Sequence, residues 1–96
     1  MTVRRFGWDP GEDAENQLKR GVSFNQAQWA FADPQRVVAR DLSHNQTEGR
    51  FYCFGRVDEG VMTVRFTYRV SVIRSIGAGY WRKGKAIYEH ENSIHR

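Results

Sequence analysis

Between Gly60 and Tyr88 the chain carries Arg65, Arg69, Arg74, Arg82, Lys83 and Lys85 and no Asp or Glu. Arg65 and Arg69 share a strand parity with Thr63 and Thr67, while Met62, Val64, Phe66 and Tyr68 fall on the other side. The spacing predicts a strand with one buried and one cationic face. Arg74 lies in Val72-Ile73-Arg74-Ser75-Ile76, a run apolar enough to pair back on that strand although its alternation is less clean. A guanidinium fork grips two phosphate oxygens at once, so the expected ligand of this face is a polyanion. Arg69 is the principal candidate, with Arg65 and Arg74 beside it; a solvated sheet arginine is the bland reading of each.

Proton transfer needs other residue types. His44 and Glu48 are the natural candidates, because an imidazole titrates near neutrality and a nearby carboxylate can orient or charge it. They lie in the polar segment from Asp41 to Gly49, where a surface histidine bonded to its own loop is the alternative. Arg82 and Lys83 follow Tyr80 and Trp81, a pairing of cations and rings that suits RNA bases and phosphates, although the rings could equally plug the sheet edge. Tyr88 could reach a base or a proton from the last helix, or simply pack on the sheet. No metal site is expected, since Cys53 stands alone and His90 and His95 are not on one helix face. No Gly-rich phosphate loop or nucleophile elbow is present, and no cofactor is expected.

These residues need a scaffold. Val3 to Trp8 reads as a short first strand. Asp9-Pro10 starts a helix whose first turn is acidic and whose end is Gly21 after Lys19 and Arg20. Ser23 with Gln26 starts a second, which Asp33-Pro34 stops. Val37 to Arg40 and Arg50 to Val57 read as strands, Asp58-Glu59-Gly60 as a hairpin turn into the arginine strand, and Arg82 to His90 as a terminal helix. The fold class is therefore α+β: a small antiparallel sheet of about four to five strands with two N-terminal helices and one C-terminal helix, the helices on one face.

The 96 residues suit a single domain, 1–96, and the 40% hydrophobic and 14% aromatic content suits a packed core. Net charge of +4 is moderate, so the acid-free interval says more than the total. Cys53, among Phe51, Tyr52 and Phe54, is a small core residue by default. With one cysteine, no apolar leader after Arg4 and Arg5 and no long apolar run, a cytoplasmic protein with no membrane contact is expected.

The order of these residues resembles the BrnT-type toxins of bacterial type II toxin–antitoxin pairs. The resemblance spans Phe6-Gly7-Trp8-Asp9-Pro10; Asn16 with Lys19-Arg20-Gly21-Val22-Ser23-Phe24; Ala27, Phe31, Asp33 and Pro34; Asp41, His44, Glu48 and Arg50; Gly55; Val64 to Arg69; and Ile73-Arg74 with Ile76 and Ala78. It implies a fold like the RelE ribonucleases, RNA cleavage without a metal, translation inhibition, and neutralisation by a small antitoxin with a ribbon-helix-helix part. Operator DNA would be reached only through that antitoxin.

Where family members typically read Arg-Ile-Ile-Ser-Ala-Arg, this chain has Arg74-Ser75-Ile76-Gly77-Ala78-Gly79; Gly84 stands where an acid is usual, and the family's Lys-His pair is Lys19-Arg20. The resemblance thus implies an endoribonuclease with one arginine fewer, unless Arg82 or Lys83 reaches the same place. The alternative is a catalytically weakened relative that binds its antitoxin and co-represses the operon.

Overall fold

The computed structural model describes residues 5–42 and 49–93. Five strands, β1 (Arg5–Gly7), β2 (Val37–Arg40), β3 (Phe51–Val57), β4 (Gly60–Arg69) and β5 (Val72–Gly79), form one sheet in the order β1-β5-β4-β3-β2. β2 to β5 are antiparallel neighbours, and β1 joins the far edge parallel to β5. The α+β class holds, with one parallel pair in an otherwise antiparallel sheet.

The N-terminal helices start and stop where their caps predict. α1 (Pro10–Arg20) begins after Asp9, whose Oδ2 accepts from the Glu12 amide at 2.9 Å, and ends at Gly21 with φ of 70°. None of its residues is buried, and polar groups hold it in place. The Asn16 amide spans the Ala78 backbone like a short strand, donating to the Ala78 carbonyl at 3.0 Å and accepting from its N–H at 3.2 Å. It also donates to the Val22 carbonyl at 2.8 Å. α2 (Phe24–Ala27) starts at Ser23, whose Oγ accepts from the Gln26 amide at 3.0 Å, and tightens at once into a 3₁₀ turn over Gln28–Ala32. The Gln26 side chain does not complete a capping box; it donates to Asp58 at 3.2 Å.

Helices cover both faces of the sheet, against the one-face expectation. Phe24, Ala27 and Ala30 bury themselves with Cys53, Met62, Val64, Phe66 and Ala78 on one face, where the fully buried phenylalanines each contribute about 2 kcal/mol of transfer free energy. That contact is close enough that a Cβ at Gly55 would strike the Ala30 backbone. The opposite face packs Phe54 and Val61 under α3 (Arg82–Ser93), whose Tyr88 and Ile87 complete a smaller core. Gly84 makes this docking possible, since a Cβ there would overlap Thr63 Oγ1 and press on Phe54.

A bulge explains the poor alternation of β5. Arg65 pairs with Gly77, but Phe66 pairs with Ser75, leaving Ile76 as an extra residue. Without it Arg74 would oppose Tyr68 on the core face. With it Arg74 opposes Thr67 and shares the face of Arg65, while Ile73 turns into the core at 2 % exposure. On β4 the predicted parity holds for Met62, Val64 and Phe66, all fully buried; Tyr68 lies at the core's margin, 43 % exposed, with its ring against Phe51 and Phe66.

Candidate functional site

Arg65 stands midway along β4, opposite Tyr52 on β3 and Gly77 on β5. Its Nη2 donates to Asp41 Oδ2 at 3.1 Å, and the Asp41 side chain is almost wholly buried at 2 % exposure. Asp41 is the first residue past β2, and its N–H donates to the Arg50 carbonyl at 2.8 Å. A buried carboxylate fixed by its own backbone holds a guanidinium in one orientation. Two residues along the same face, Thr67 Oγ1 donates to the Gly49 carbonyl at 2.6 Å. Both stems of the 43–48 segment are therefore bonded to the arginine face of β4.

The neighbouring cations arrive from different elements. The bulge brings Arg74 alongside, with its Nη2 3.6 Å from Glu12 Oε1 of α1. Arg69 ends β4 and is exposed. The Nε groups of Arg50 and Arg65 are buried without a hydrogen-bond partner among the described residues. A cleft of about 480 Å³ opens between this face and α1, lined by Arg65, Tyr52, Trp81, Arg20, Lys19 and Glu12 among others. Its far wall is a small stack: the Trp81 ring covers Gly79, where a Cβ would come within 2.7 Å of it, and the Arg20 guanidinium lies 5.1 Å from the ring centroid.

Arg82 and Lys83 do not line this cleft; they sit at the start of α3 on a separate groove, with Tyr52 and Trp81 between the two. The guanidinium that lies over Gly79's cover, the Trp81 ring, is that of Arg20, supplied by α1. Tyr88 takes its packing role: it is 3 % exposed, donates to Asp33 Oδ2 at 2.7 Å, and has Arg56 5.6 Å from its ring centroid. Burial, and then the hydrogen bond to the Asp33 carboxylate, push its hydroxyl above the usual tyrosine range.

His44 and Glu48 lie outside the described residues. Cys53 is the inert core thiol its neighbours imply, fully buried, with burial pushing its pKa up to about 12. Among the described residues no three His, Cys, Asp or Glu side chains gather as a ligand set, and no helix is long and apolar enough to cross a membrane. Sequence reasoning missed Asp41 and Arg20 as parts of the site. Asp41 stood out only through the family resemblance, and Arg20 only as the basic end of the first helix and the departure from Lys-His.

The family model for the ribonuclease toxin BrnT of type II toxin–antitoxin systems matches residues 8–84. The chain belongs to the BrnT family. That membership makes it a ribonuclease toxin by family, with an RNA target and an antitoxin partner implied. The BrnT match takes in Arg65, Asp41 and the Trp81 stack and stops at Gly84, so most of α3 lies beyond it. No match was found among curated proteins.

Proposed function

We propose that this BrnT-family chain is a metal-independent endoribonuclease with a RelE-like fold that inhibits translation by cutting messenger RNA. A small ribbon-helix-helix antitoxin would neutralise it and would be its only route to operator DNA. In the reaction the 2′-hydroxyl oxygen attacks phosphorus and the bond to the 5′-oxygen breaks, leaving a 2′,3′-cyclic phosphate and a 5′-hydroxyl. A base takes the 2′-hydroxyl proton, an acid returns one to the 5′-oxygen, and cations stabilise the crowded phosphate. Arg65, aimed by Asp41, is the fixed cation; Arg74, Arg69 and Arg20 add charge around it. His44 and Glu48 are the proton-transfer groups.

One observation carries this reading: the segment bearing His44 and Glu48 is rooted on the arginine face at both ends, through Asp41–Arg65 and Gly49–Thr67. The test is cleavage of a long single-stranded RNA in excess chelator by the native chain and by Arg65→Ala, Arg69→Ala and His44→Ala. Cleavage that survives chelator, leaves cyclic-phosphate ends and falls at least about tenfold in each variant, or roughly 1.4 kcal/mol, is the expected result. Folded variants with native activity would remove their residues from the site.

A second reading rests on Gly79 and Gly84. Trp81 occupies the space above the one, and Thr63 leaves no room for an acid at the other. A weakened toxin that binds its antitoxin and co-represses would show no native cleavage, with activity appearing in Gly79→Arg once the Trp81 ring is displaced.

A further inference from the structure

Behind the Tyr52 and Trp81 rings, a groove of about 640 Å³ runs between β3 and the start of α3. Tyr52, Thr63 and Trp81 line both this groove and the Arg65 cleft, so the two share a wall. Its floor is apolar. Tyr52 and Phe54 lie two residues apart on one strand face with stacked rings, centroids 5.9 Å apart and planes inclined by 19°. Ile87 of α3 closes one side. Its rim is cationic: Arg82 and Lys83 are both exposed, and among the described residues no Asp or Glu lines the groove. The Arg65 cleft, by contrast, includes Glu12 and Glu15.

Aromatic side chains on the floor and cations on the rim match the two halves of a nucleotide, because a base packs on aromatic side chains and every linkage carries a phosphate. We propose that this groove is a base-binding subsite for single-stranded RNA, holding the nucleotide next to the phosphate at Arg65. The proposal rests on the ribonuclease reading and adds the path of the strand: over the Tyr52–Trp81 wall, base against the aromatic floor, phosphates along Arg82 and Lys83. A neutral apolar peptide would leave those cations unmatched, and the shared wall makes the groove continuous with the phosphate cleft.

Binding can be read apart from cleavage with a labelled 2′-O-methyl RNA of about ten nucleotides, which lacks the attacking hydroxyl, and with a base-free strand of the same length. Ile87 lines the groove and not the cleft, so Ile87→Trp fills only the former. The expected result is at least about tenfold weaker binding of the base-containing probe by Ile87→Trp and by Trp81→Leu, with the base-free strand bound by Ile87→Trp as by the native chain. Lys83→Gln should flatten the salt dependence by about one counterion. Trp81→Phe keeps a ring and should retain most of the affinity, which covers a Trp81→Leu that fails to fold.

The proposal is overturned if folded Ile87→Trp binds the base-containing probe like the native chain, if both probes weaken equally, or if the native chain binds neither. Loss of antitoxin binding in Ile87→Trp with RNA binding intact would assign the groove to the protein partner instead. Base discrimination without cleavage of long RNA would sink the ribonuclease reading and leave the subsite standing. Cleavage unaffected by Ile87→Trp would do the reverse.

Discussion

Asp33 organises one end of the molecule from a position where a helix stop alone was expected. Its carboxylate accepts from the Arg56 amide at 2.7 Å, the Gln35 amide at 2.9 Å and the Tyr88 hydroxyl at 2.7 Å. Burial works against its charge, but these donors outweigh it and hold its pKa below the usual aspartate value. A depressed carboxylate adds stability above its unfolded pKa near 4, and that stability is lost as pH falls through the lower folded value. Asp33→Asn should therefore flatten the acid side of a urea-stability profile measured from neutral pH down to about pH 2. Tyr88 has the opposite sense: its raised pKa supports the fold below about pH 10 and ceases to do so as pH rises through the folded value. Tyr88→Phe should cost about 1 kcal/mol near neutrality and leave RNA cleavage per folded molecule unchanged. A selective loss of cleavage would return Tyr88 to the site.

At the scale of elements, what the sequence made legible follows from local chemistry. Caps at Asp9, Gly21 and Ser23 and alternation along β4 are encoded by neighbours, and the helix starts, the C-terminal stop of α1 and the main core residues came out as expected. The Ile76 bulge is set by pairing across strands, so the side on which Arg74 falls was not legible. Nor was the placing of α3 on the second face, which depends on Gly84 meeting Thr63. In an isolated helix Gly→Ala is worth up to about 1 kcal/mol of stabilisation. Here Gly84→Ala should destabilise instead, and denaturant titration of Gly84→Ala beside a Gly84→Ala/Thr63→Ala double variant should show part of the loss recovered. The β4–β5 turn offers the contrary case. Val70 and Ser71 hold φ of 43° and 71°, and Val70 is 97 % exposed. A β-branched residue gains nothing there to offset a left-handed backbone. Val70→Asn with Ser71→Gly should raise the unfolding free energy by about 1–2 kcal/mol, read from the urea midpoint at constant slope.

For the whole molecule, the arginine face is assembled from β4, β5, α1 and Asp41 just past β2, and its least anchored contributor is α1. That helix buries no residue and leaves Leu18 89 % exposed. β1 pairs with β5 only as far as Arg74, so Asn16 takes over at Ala78 where the strand has ended. One side chain thus stands between β5's free backbone and a fourth-party strand. If the amide is removed, as in Asn16→Leu, the N–H and C=O of Ala78 become a template for intermolecular pairing. The change should appear in sedimentation velocity as self-association that grows with protein concentration, before any large fall in melting temperature. On that outcome Asn16 sets the colloidal behaviour of the chain: a single carboxamide, bonded to both backbone groups of Ala78, keeps the sheet from being offered to a second copy.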